Sequence, residues 1–244
     1  MKRHTLGHLI AATGAVGALE VSFVVAVVSI GGDPVSKAVV HMGAGLVLLW
    51  CVGGGIAMRI LRDRIRPAVL LIPIRWDVRF LLFCTVLALV EEAITTSMTN
   101  LAPVFGVPVG RAYITASASY LDVVLGHSVI LFVPMFACWA FILSRLSFHP
   151  NAVFLLYGLT GALAEASSFG LQSVTQAPMW IFVYGLMVYL PAYCLPDRPD
   201  ARPPRPVHYP MAVLLPFVAA IPVAGGVGYL HPIKVHFPPI TPGR

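Results

Sequence analysis

The hydrophobic pattern along the chain is a series of long apolar runs separated by short polar loops. Most runs hold about 18 or more apolar residues, the length that an α-helix needs to cross a bilayer. The pattern therefore predicts an all-α, polytopic transmembrane helix bundle of about seven spans. The predicted spans are residues 6–30, 38–61, 78–101, 122–146, 152–171, 178–195 and 209–230. Since the runs use nearly every residue, 1–244 is predicted to form a single integral membrane domain.

The segments between the runs differ in character. Residues 68–74 are apolar but too few to cross, so we expect them at the membrane interface, with Trp76 as an interfacial aromatic residue. The loop 102–121 is rich in Gly, Ser, Thr and Tyr, and the loop 196–208 is rich in Pro and Arg. The tail 231–244 contains four prolines, which predicts an extended conformation.

Composition supports a membrane protein and excludes a soluble domain and a nucleic-acid-binding protein. Hydrophobic residues make up 58% of the chain and charged residues only 11%, whereas soluble domains carry about 25% charged residues. The formal charge of +6 does not indicate nucleic-acid binding, because the basic residues lie in short loops between apolar runs. The four cysteines lie within apolar segments, so no disulfide is predicted.

The distribution of basic residues predicts the orientation of the chain. With the N-terminus inside, 12 of the 16 Lys and Arg residues are cytoplasmic, and only Lys37, Arg111, Lys234 and Arg244 are outside. This distribution predicts an N-in, C-out, multi-pass protein of the inner cell membrane. The loop 196–208 is then cytoplasmic and the tail 231–244 lies outside. The chain has no obvious internal repeat, so an inverted-repeat transporter is not indicated.

Acidic residues inside the predicted spans are the main candidates for function. A carboxylate at the middle of a bilayer costs about 2.5–3.5 kcal/mol on insertion scales and marks a functional site by default. The third predicted span carries Glu91 and Glu92, with Thr96 and Thr99 on the same helix face as Glu92 and with Asn100 close behind. We expect this face to point into the bundle or into a wet cavity.

Other spans carry polar residues at a similar depth. From the helical rise, Glu91, Glu92, Glu165 and Glu20 lie roughly 20 Å from the cytoplasmic side, and His127 lies roughly 8 Å below the outer surface. Glu165 shares a face with small residues, which favour helix–helix contact, so it is predicted to point into protein. The candidate catalytic residues are therefore Glu91, Glu92, His127 and Glu165. Thr96, Thr99, Asn100 and Glu20 are the candidate substrate-binding residues.

Several of these positions also have an ordinary structural interpretation. Asp122 is typical of a helix N-cap at the start of the fourth span. His41 lies near the outer interface, where water can solvate it. Glu20 is equally consistent with a hydrogen bond between helices. The adjacent pair Glu91 and Glu92 is harder to explain in this way, because the two side chains point about 100° apart and cannot both be shielded by one neighbour.

The chemistry of such a layer is acid–base or metal chemistry. Two close carboxylates cannot both ionise cheaply in a low dielectric, so the pair offers one base and one acid. A nearby histidine stabilises an oxyanion or relays protons. Glutamate and histidine also suit a divalent metal, although the sequence has no H-E-x-x-H zinc motif and identifies no ligand set.

Val90-Glu91-Glu92-Ala93 on a membrane helix, followed by histidines on later helices, resembles the glutamate-dependent intramembrane proteases of the CAAX-processing superfamily. The resemblance implies that Glu91 or Glu92 activates water and that His127 stabilises the oxyanion. It covers some 40 residues. Thr95 and the residues after it stand where the family carries an arginine, and Val123 stands where it carries a phenylalanine.

Three functions remain open from the sequence. The first is a membrane-embedded hydrolase, peptidase-like in type, that acts on a peptide or lipid substrate. The second is a proton- or cation-coupled transporter that uses the four glutamates as a relay. The third is a non-catalytic membrane subunit whose polar layer holds helices or partner subunits together. The apolar inner halves of the spans favour a one-sided pocket and argue against a pore.

Overall fold

The computed structural model describes residues 3–231 and 235–237. The chain is all-helical, with 79% of residues in helices and no strands in the part described. The α-helices are α1 (Arg3–Gly31), α2 (Pro34–Leu46), α3 (Gly55–Leu70), α4 (Trp76–Asn100), α5 (Tyr120–Gly126), α6 (Val129–Arg145), α7 (Pro150–Phe169), α8 (Ala177–Tyr193) and α9 (His208–Leu230). A π-helical segment, Val47–Gly54, joins α2 to α3, and 3-10 helices follow α4 (Ala102–Phe105) and α7 (Leu171–Gln176).

Four helical segments of the described chain are long and apolar enough to cross a membrane, which is compatible with an integral membrane protein. They are His4–Gly31, Pro34–Leu70, Ser173–Tyr193 and His208–Leu230. A fifth candidate consists of α5 and α6, which are separated by a break and bent by 45°. The predicted second span is thus part of a longer helix, and the predicted fourth span is broken near its N-terminal end. The helices α4 and α7, predicted as the third and fifth spans, are not among these candidates.

The interface between α7 and α8 is the most extensive helix contact in the bundle, and glycines make it possible. A Cβ atom on Gly161 would lie 2.1 Å from the ring of Tyr184, and one on Gly158 would lie 2.4 Å from the carbonyl oxygen of Ile181. Because neither position has room for a methyl group, the two backbones approach closely, as small residues allow in membrane helices. The predicted face of α7 consists of Gly158, Gly161, Glu165 and Ser168. Its inward orientation is confirmed for the first three, which are buried or half-buried, whereas Ser168 is exposed.

Large side chains fill the half of the bundle between the predicted polar layer and the basic loops. Phe80, Phe136, Trp139 and Tyr157 are fully buried there, and Met187 packs with them. In contrast, the apolar faces of α1 and α9 are largely uncovered, since only 6% and 11% of their most apolar windows are buried. Such faces are suited to contact with lipid.

The basic loops lie together at one end of the bundle. Arg62 donates a hydrogen bond to the hydroxyl of Tyr189 at 2.8 Å, and the guanidinium of Arg198 lies over the ring of Trp76 at 5.7 Å. The backbone N–H of Arg202 donates to the carbonyl of Arg145 at 2.9 Å. The loop 196–208 therefore packs against the start of α4 and the end of α6, and α3 contacts α8 at the same end of the bundle.

The described part of the tail docks on the loop that follows α4. The backbone N–H of His236 donates to the carbonyl of Ala116 at 2.7 Å, and the rings of Phe237 and Tyr113 lie 4.8 Å apart. The four prolines that predicted an extended tail lie outside the described residues. All four cysteines are unpaired.

Candidate functional site

Glu91 and Glu92 lie on α4, nine and eight residues before its last residue. Their side chains are buried, with relative exposures of 5% and 7%. The hydroxyl of Thr95 donates to Glu91 Oε1 at 2.8 Å, so one carboxylate is held by a residue on its own helix. Glu92, Thr96 and Thr99, the face predicted to point into the bundle or into a wet cavity, are all buried inside the bundle, so that prediction is confirmed.

Glu165 on α7 joins this pair. Tyr184, which the close α7–α8 contact brings into place, donates a hydrogen bond from its hydroxyl to Glu165 Oε1. Glu165 lies near enough to both α4 glutamates to interact with them electrostatically, and Tyr184 interacts with all three carboxylates. We call Glu91, Glu92 and Glu165 the glutamate cluster. Among the described residues, its carboxylates have no interaction with a Lys, Arg or His side chain.

Two polar atoms in this region lack partners. Glu92 Oε2 and Thr96 Oγ1 are buried, one helical turn apart on α4, and neither has a hydrogen-bond partner. The hydroxyl of Ser128, which donates to the carbonyl of Val123 at 3.3 Å, lies close enough to Glu92 to interact with it. Because buried polar groups are nearly always hydrogen-bonded, such a pair of atoms indicates a place for water or a polar ligand.

Two of the predicted substrate-binding residues hold the loop after α4. Thr99 Oγ1 accepts a hydrogen bond from the backbone N–H of Ile114 at 3.2 Å. The side chain of Asn100 donates to the carbonyls of Thr96, at 3.1 Å, and Ala118, at 2.9 Å. These contacts give Thr99 and Asn100 a structural role that does not depend on a substrate.

Glu20 lies apart from the glutamate cluster. Its helix, α1, packs on α8 near Gly17, where the backbone of Met179 is in contact distance. Glu20 Oε2 is buried without a hydrogen-bond partner, and no charged side chain among the described residues interacts with this carboxylate. The predicted layer thus contains three convergent glutamates and a fourth that is separate from them.

His127 belongs to a second group of side chains, at the end of the bundle away from the basic loops. It lies in the break between α5 and α6, where its Nε2 is 4.0 Å from Asp122 Oδ2. His236 Nδ1 lies 3.0 Å from the same carboxylate oxygen. We call Asp122, His127 and His236 the rim cluster. No glutamate is among the charged groups that interact with His127 in the described chain, although its neighbour Ser128 contacts Glu92.

The interpretation of Asp122 as an N-cap is wrong. Ser119 caps α5, because its hydroxyl accepts a hydrogen bond from the backbone N–H of Asp122 at 3.4 Å. Asp122 is the third residue of the helix, and its side chain is therefore free to face His127 and His236.

Sequence reasoning missed Tyr184 and His236, and it assigned no role to Ser128. Ser128 directly follows His127 in the predicted fourth span, so it could have been predicted as a site residue. Tyr184 lies in a run of apolar and aromatic residues, and nothing distinguishes it from the other tyrosines of α8. His236 belongs to a short tail segment whose contacts depend on the folded loop beneath it.

The two clusters differ in the chemistry that they offer. The glutamate cluster provides carboxylate and hydroxyl oxygens in a buried place, which suits protons, water or a hard cation. The rim cluster provides two imidazoles and a carboxylate, which is a donor set for transition metals. Comparison with protein-family models, with curated proteins and with solved structures finds no match for this chain.

Proposed function

We propose that the chain is a multi-pass protein of the inner cell membrane and that its glutamate cluster is the acid–base site of a membrane-embedded hydrolase. The observation that carries the proposal is the buried Glu92 Oε2, which has no hydrogen-bond partner and belongs to a residue one helical turn from Thr96, whose buried hydroxyl also lacks one. A general base needs such an oxygen within hydrogen-bond reach of the water that it activates. The substrate class is a peptide or a lipid that reaches the site from the outer side.

Helix lengths support seven crossings. The four apolar segments and the bent α5–α6 pair account for five. The helices α4 and α7 have 25 and 20 residues, or about 37 and 30 Å at the α-helical rise, so each is long enough to cross as well. Because the basic loops lie together at one end of the bundle, that end is proposed to be cytoplasmic, which gives N-in and C-out.

The glutamates supply both protonation states that hydrolysis requires. Glu91 receives a hydrogen bond from Thr95 and Glu165 receives one from Tyr184, whereas Glu92 keeps an oxygen without a partner. Three carboxylates that interact in a buried place cannot all be ionised without a cation. In the proposal Glu92 accepts a proton from water, while a protonated neighbour donates to the leaving group.

The packing of the inner half favours a one-sided site. Phe80, Phe136, Trp139 and Tyr157 fill the space between the glutamates and the basic end, and each is fully buried. A hydrolase needs access from one side of the membrane only, whereas a carrier needs access from both sides in turn. This packing therefore favours a hydrolase over a transporter.

The test uses the full chain in nanodiscs with quenched fluorescent transmembrane peptides and fluorogenic lipid esters as probes. Glu92→Gln is expected to lower turnover by about 10²- to 10⁴-fold, as loss of a general base does. Glu20→Gln is the matched control, because it removes a glutamate of a membrane helix outside the cluster, and it is expected to keep most of the activity. Equal activity of Glu92→Gln and the unaltered chain would overturn the proposal.

A proton- or cation-coupled carrier is the second candidate. The observation that favours it is that the three carboxylates interact with one another and with no basic side chain among the described residues. Such a set also suits a cation that moves with a substrate. In proteoliposomes containing a pH-sensitive dye, this function predicts cation-driven proton movement that Glu165→Gln abolishes and Glu20→Gln keeps.

The paired substitution of Glu91 and Glu92 by Gln separates both candidates from a non-catalytic subunit. If the glutamates only lock helices together, the double variant loses folded protein while the protein that does fold keeps any activity. If they carry chemistry, the variant folds and the activity disappears. Helix content and monodispersity in detergent report folding in this experiment.

A further inference from the structure

We propose that Asp122, His127 and His236 form a binding site for a divalent transition metal, of which Zn²⁺ is the best match, at the outer rim of the bundle. The site is inferred from its own donor atoms and does not rest on the proposed hydrolase activity. It is separate from the glutamate cluster in donors and in chain segments.

The donor atoms converge. His127 Nε2, His236 Nδ1 and a carboxylate oxygen of Asp122 all lie within 4.8 Å of one another. The two separations from Asp122 Oδ2 are 3.0 Å to His236 and 4.0 Å to His127. In a tetrahedral zinc site with bonds near 2.0–2.1 Å, ligand atoms are about 3.3 Å apart. Small side-chain rotations are therefore enough to bring the three atoms onto one ion.

An unpartnered atom points to a ligand at this place. His127 Nε2 is buried and has no hydrogen-bond partner, and it faces the carboxylate of Asp122 at a distance too long for a hydrogen bond. If hydrogen bonds alone held the three side chains together, His127 Nε2 would have a partner. His236 Nδ1 has one, because it lies 3.0 Å from Asp122 Oδ2. A metal ion between the three side chains bonds the nitrogen and the carboxylate at once.

The chemistry of the set favours zinc. Two imidazoles and one carboxylate are the ligand types of zinc sites that keep a fourth position open for water. The side chains are partly exposed, at 14% for His127 and 26% for Asp122, so an ion reaches the site from the outer side. His231 lies close enough to His127 to interact with it and provides a further imidazole at the edge.

Neighbouring residues hold two of the ligands in position. Ser117 lies beside Asp122, and it pairs with His236 in a short bridge between the tail and the loop. The backbone N–H of His236 donates to Ala116, and Phe237 packs on Tyr113. The tail is thus fixed on the loop before any metal binds, which places Nδ1 of His236 toward the carboxylate.

Metal binding would change the role that the sequence resemblance implies for His127. A histidine that ligates a metal through Nε2 does not donate a hydrogen bond from that nitrogen. The role of oxyanion donor, which the sequence resemblance implies for His127, is replaced by the role of ligand.

The test is a Zn²⁺ titration of the full chain in detergent, after a chelator has removed any bound metal. A chromophoric chelator competes for the Zn²⁺ and reports the affinity. All variants carry His4→Gln and His8→Gln, because these exposed histidines one turn apart on α1 are a background site. One Zn²⁺ per chain is expected. Asp122→Asn and His236→Gln are each expected to weaken binding by more than 100-fold, since loss of a mere outer-shell partner costs about 10- to 100-fold.

Two further variants separate a metal site from a general loss of structure. His41→Gln is the matched control, because His41 is a half-buried histidine near the same end that contacts Ser29 at 3.3 Å, and Zn²⁺ affinity is expected to stay unchanged. Ser117→Ala is expected to weaken binding by about 10-fold as a positioning residue. Substitution by Co²⁺ should give the intense visible spectrum of a four-coordinate ion, and His236→Gln should remove it.

Two outcomes overturn the proposal. One is the absence of stoichiometric Zn²⁺ or Co²⁺ binding by the unaltered chain with its helix content intact. The other is binding that Asp122→Asn and His236→Gln leave unchanged. Neither outcome affects the proposed hydrolase, which is tested at Glu92 with its own probes, so the two proposals fail independently.

Discussion

The glutamate cluster and the rim cluster are neighbours along the bundle, yet the chain builds them in different ways. The first comes from two regular helices: Glu91 and Glu92 are adjacent on α4, and Glu165 lies on α7. The second depends mainly on irregular chain: Asp122 lies on the short α5, but His127 lies in the break between α5 and α6 and His236 lies in the tail. Helical periodicity identifies the first kind of site, whereas the second exists only once a loop and a tail have docked.

The difference also concerns the donors and their surroundings. The glutamate cluster contains oxygen donors inside the bundle, and Glu91 and Glu92 are nearly inaccessible. The rim cluster mixes nitrogen with oxygen and stays partly exposed. A buried oxygen site suits protons and water, and an exposed imidazole site suits an ion that arrives from solution. Substitutions that break one cluster should therefore leave the other intact.

The largest effect is expected from Gly161→Ala. The new methyl group would lie 2.1 Å from the ring of Tyr184, so α7 and α8 must move apart, at a cost of about 1–3 kcal/mol in the free energy of unfolding. Gly225→Ala is the control, since nothing lies within 4 Å of its position. Unfolding in a series of detergent concentrations measures the free energy of unfolding of both variants. Equal stability of the two variants would contradict the close α7–α8 contact, and Zn²⁺ binding should survive in either.

The next effect is expected from Tyr184→Phe, which removes the hydrogen bond to Glu165. The carboxyl then loses its donor in a half-buried place, and the free energy of unfolding should fall by about 1–2 kcal/mol. A double-mutant cycle with Glu165→Gln measures the coupling between the two side chains. Tyr229→Phe, at a tyrosine that is 86% exposed, should have no effect. Additive effects of Tyr184→Phe and Glu165→Gln would show that the two residues do not interact.

A smaller effect, confined to the rim cluster, is expected from Phe237→Ala. The ring of Phe237 packs on Tyr113 at 4.8 Å, and an aromatic pair contributes about 0.5–1.5 kcal/mol. Zn²⁺ affinity should fall by about 2- to 10-fold because His236 is held less firmly. Val235→Ala in the same segment is the control. A loss of affinity that is the same in both variants would mean that the packing of Phe237 does not position the tail.

The smallest effect is expected at Asp33, an exposed carboxylate outside both clusters and outside the candidate spans. It caps α2 by accepting hydrogen bonds from Val35 and Ser36, and the bond from the hydroxyl of Ser36 holds its pKa below the usual value. Asp33→Ala should therefore lower the melting temperature slightly at neutral pH.

The pH dependence of this difference has a definite sign. Because the pKa of Asp33 is lower in the folded chain, its contribution is complete above the unfolded pKa, about 3.9. It is lost as the pH falls through the folded value. The gap in melting temperature between Asp33→Ala and the unaltered chain should be constant from pH 7 to 5 and shrink below about pH 4. A gap that persists at lower pH would show that the charge of the cap contributes nothing.

The sequence predicted much of the glutamate cluster because its elements are periodic. Glu92 and Thr96 are one turn apart, so they share a face wherever α4 is helical. Gly158, Gly161 and Glu165 share a face of α7 for the same reason, and the small residues indicated which side packs against a neighbour. The depth of Glu165 follows from the rise of the helix. Helical periodicity does not determine which helices are neighbours, and Tyr184 was missed for that reason.

The amino-acid sequence by itself determined that the chain is an all-helical bundle with long apolar segments and that carboxylates lie within it, because hydrophobicity and helical period are local properties. The tertiary structure decided which polar residues meet. It separated Glu20 from the other glutamates, took His127 to Asp122, and brought His236 from a site more than 100 residues further along the chain. Contacts of this kind depend on the packing of helices and on the docking of a loop and a tail, and no local pattern records them.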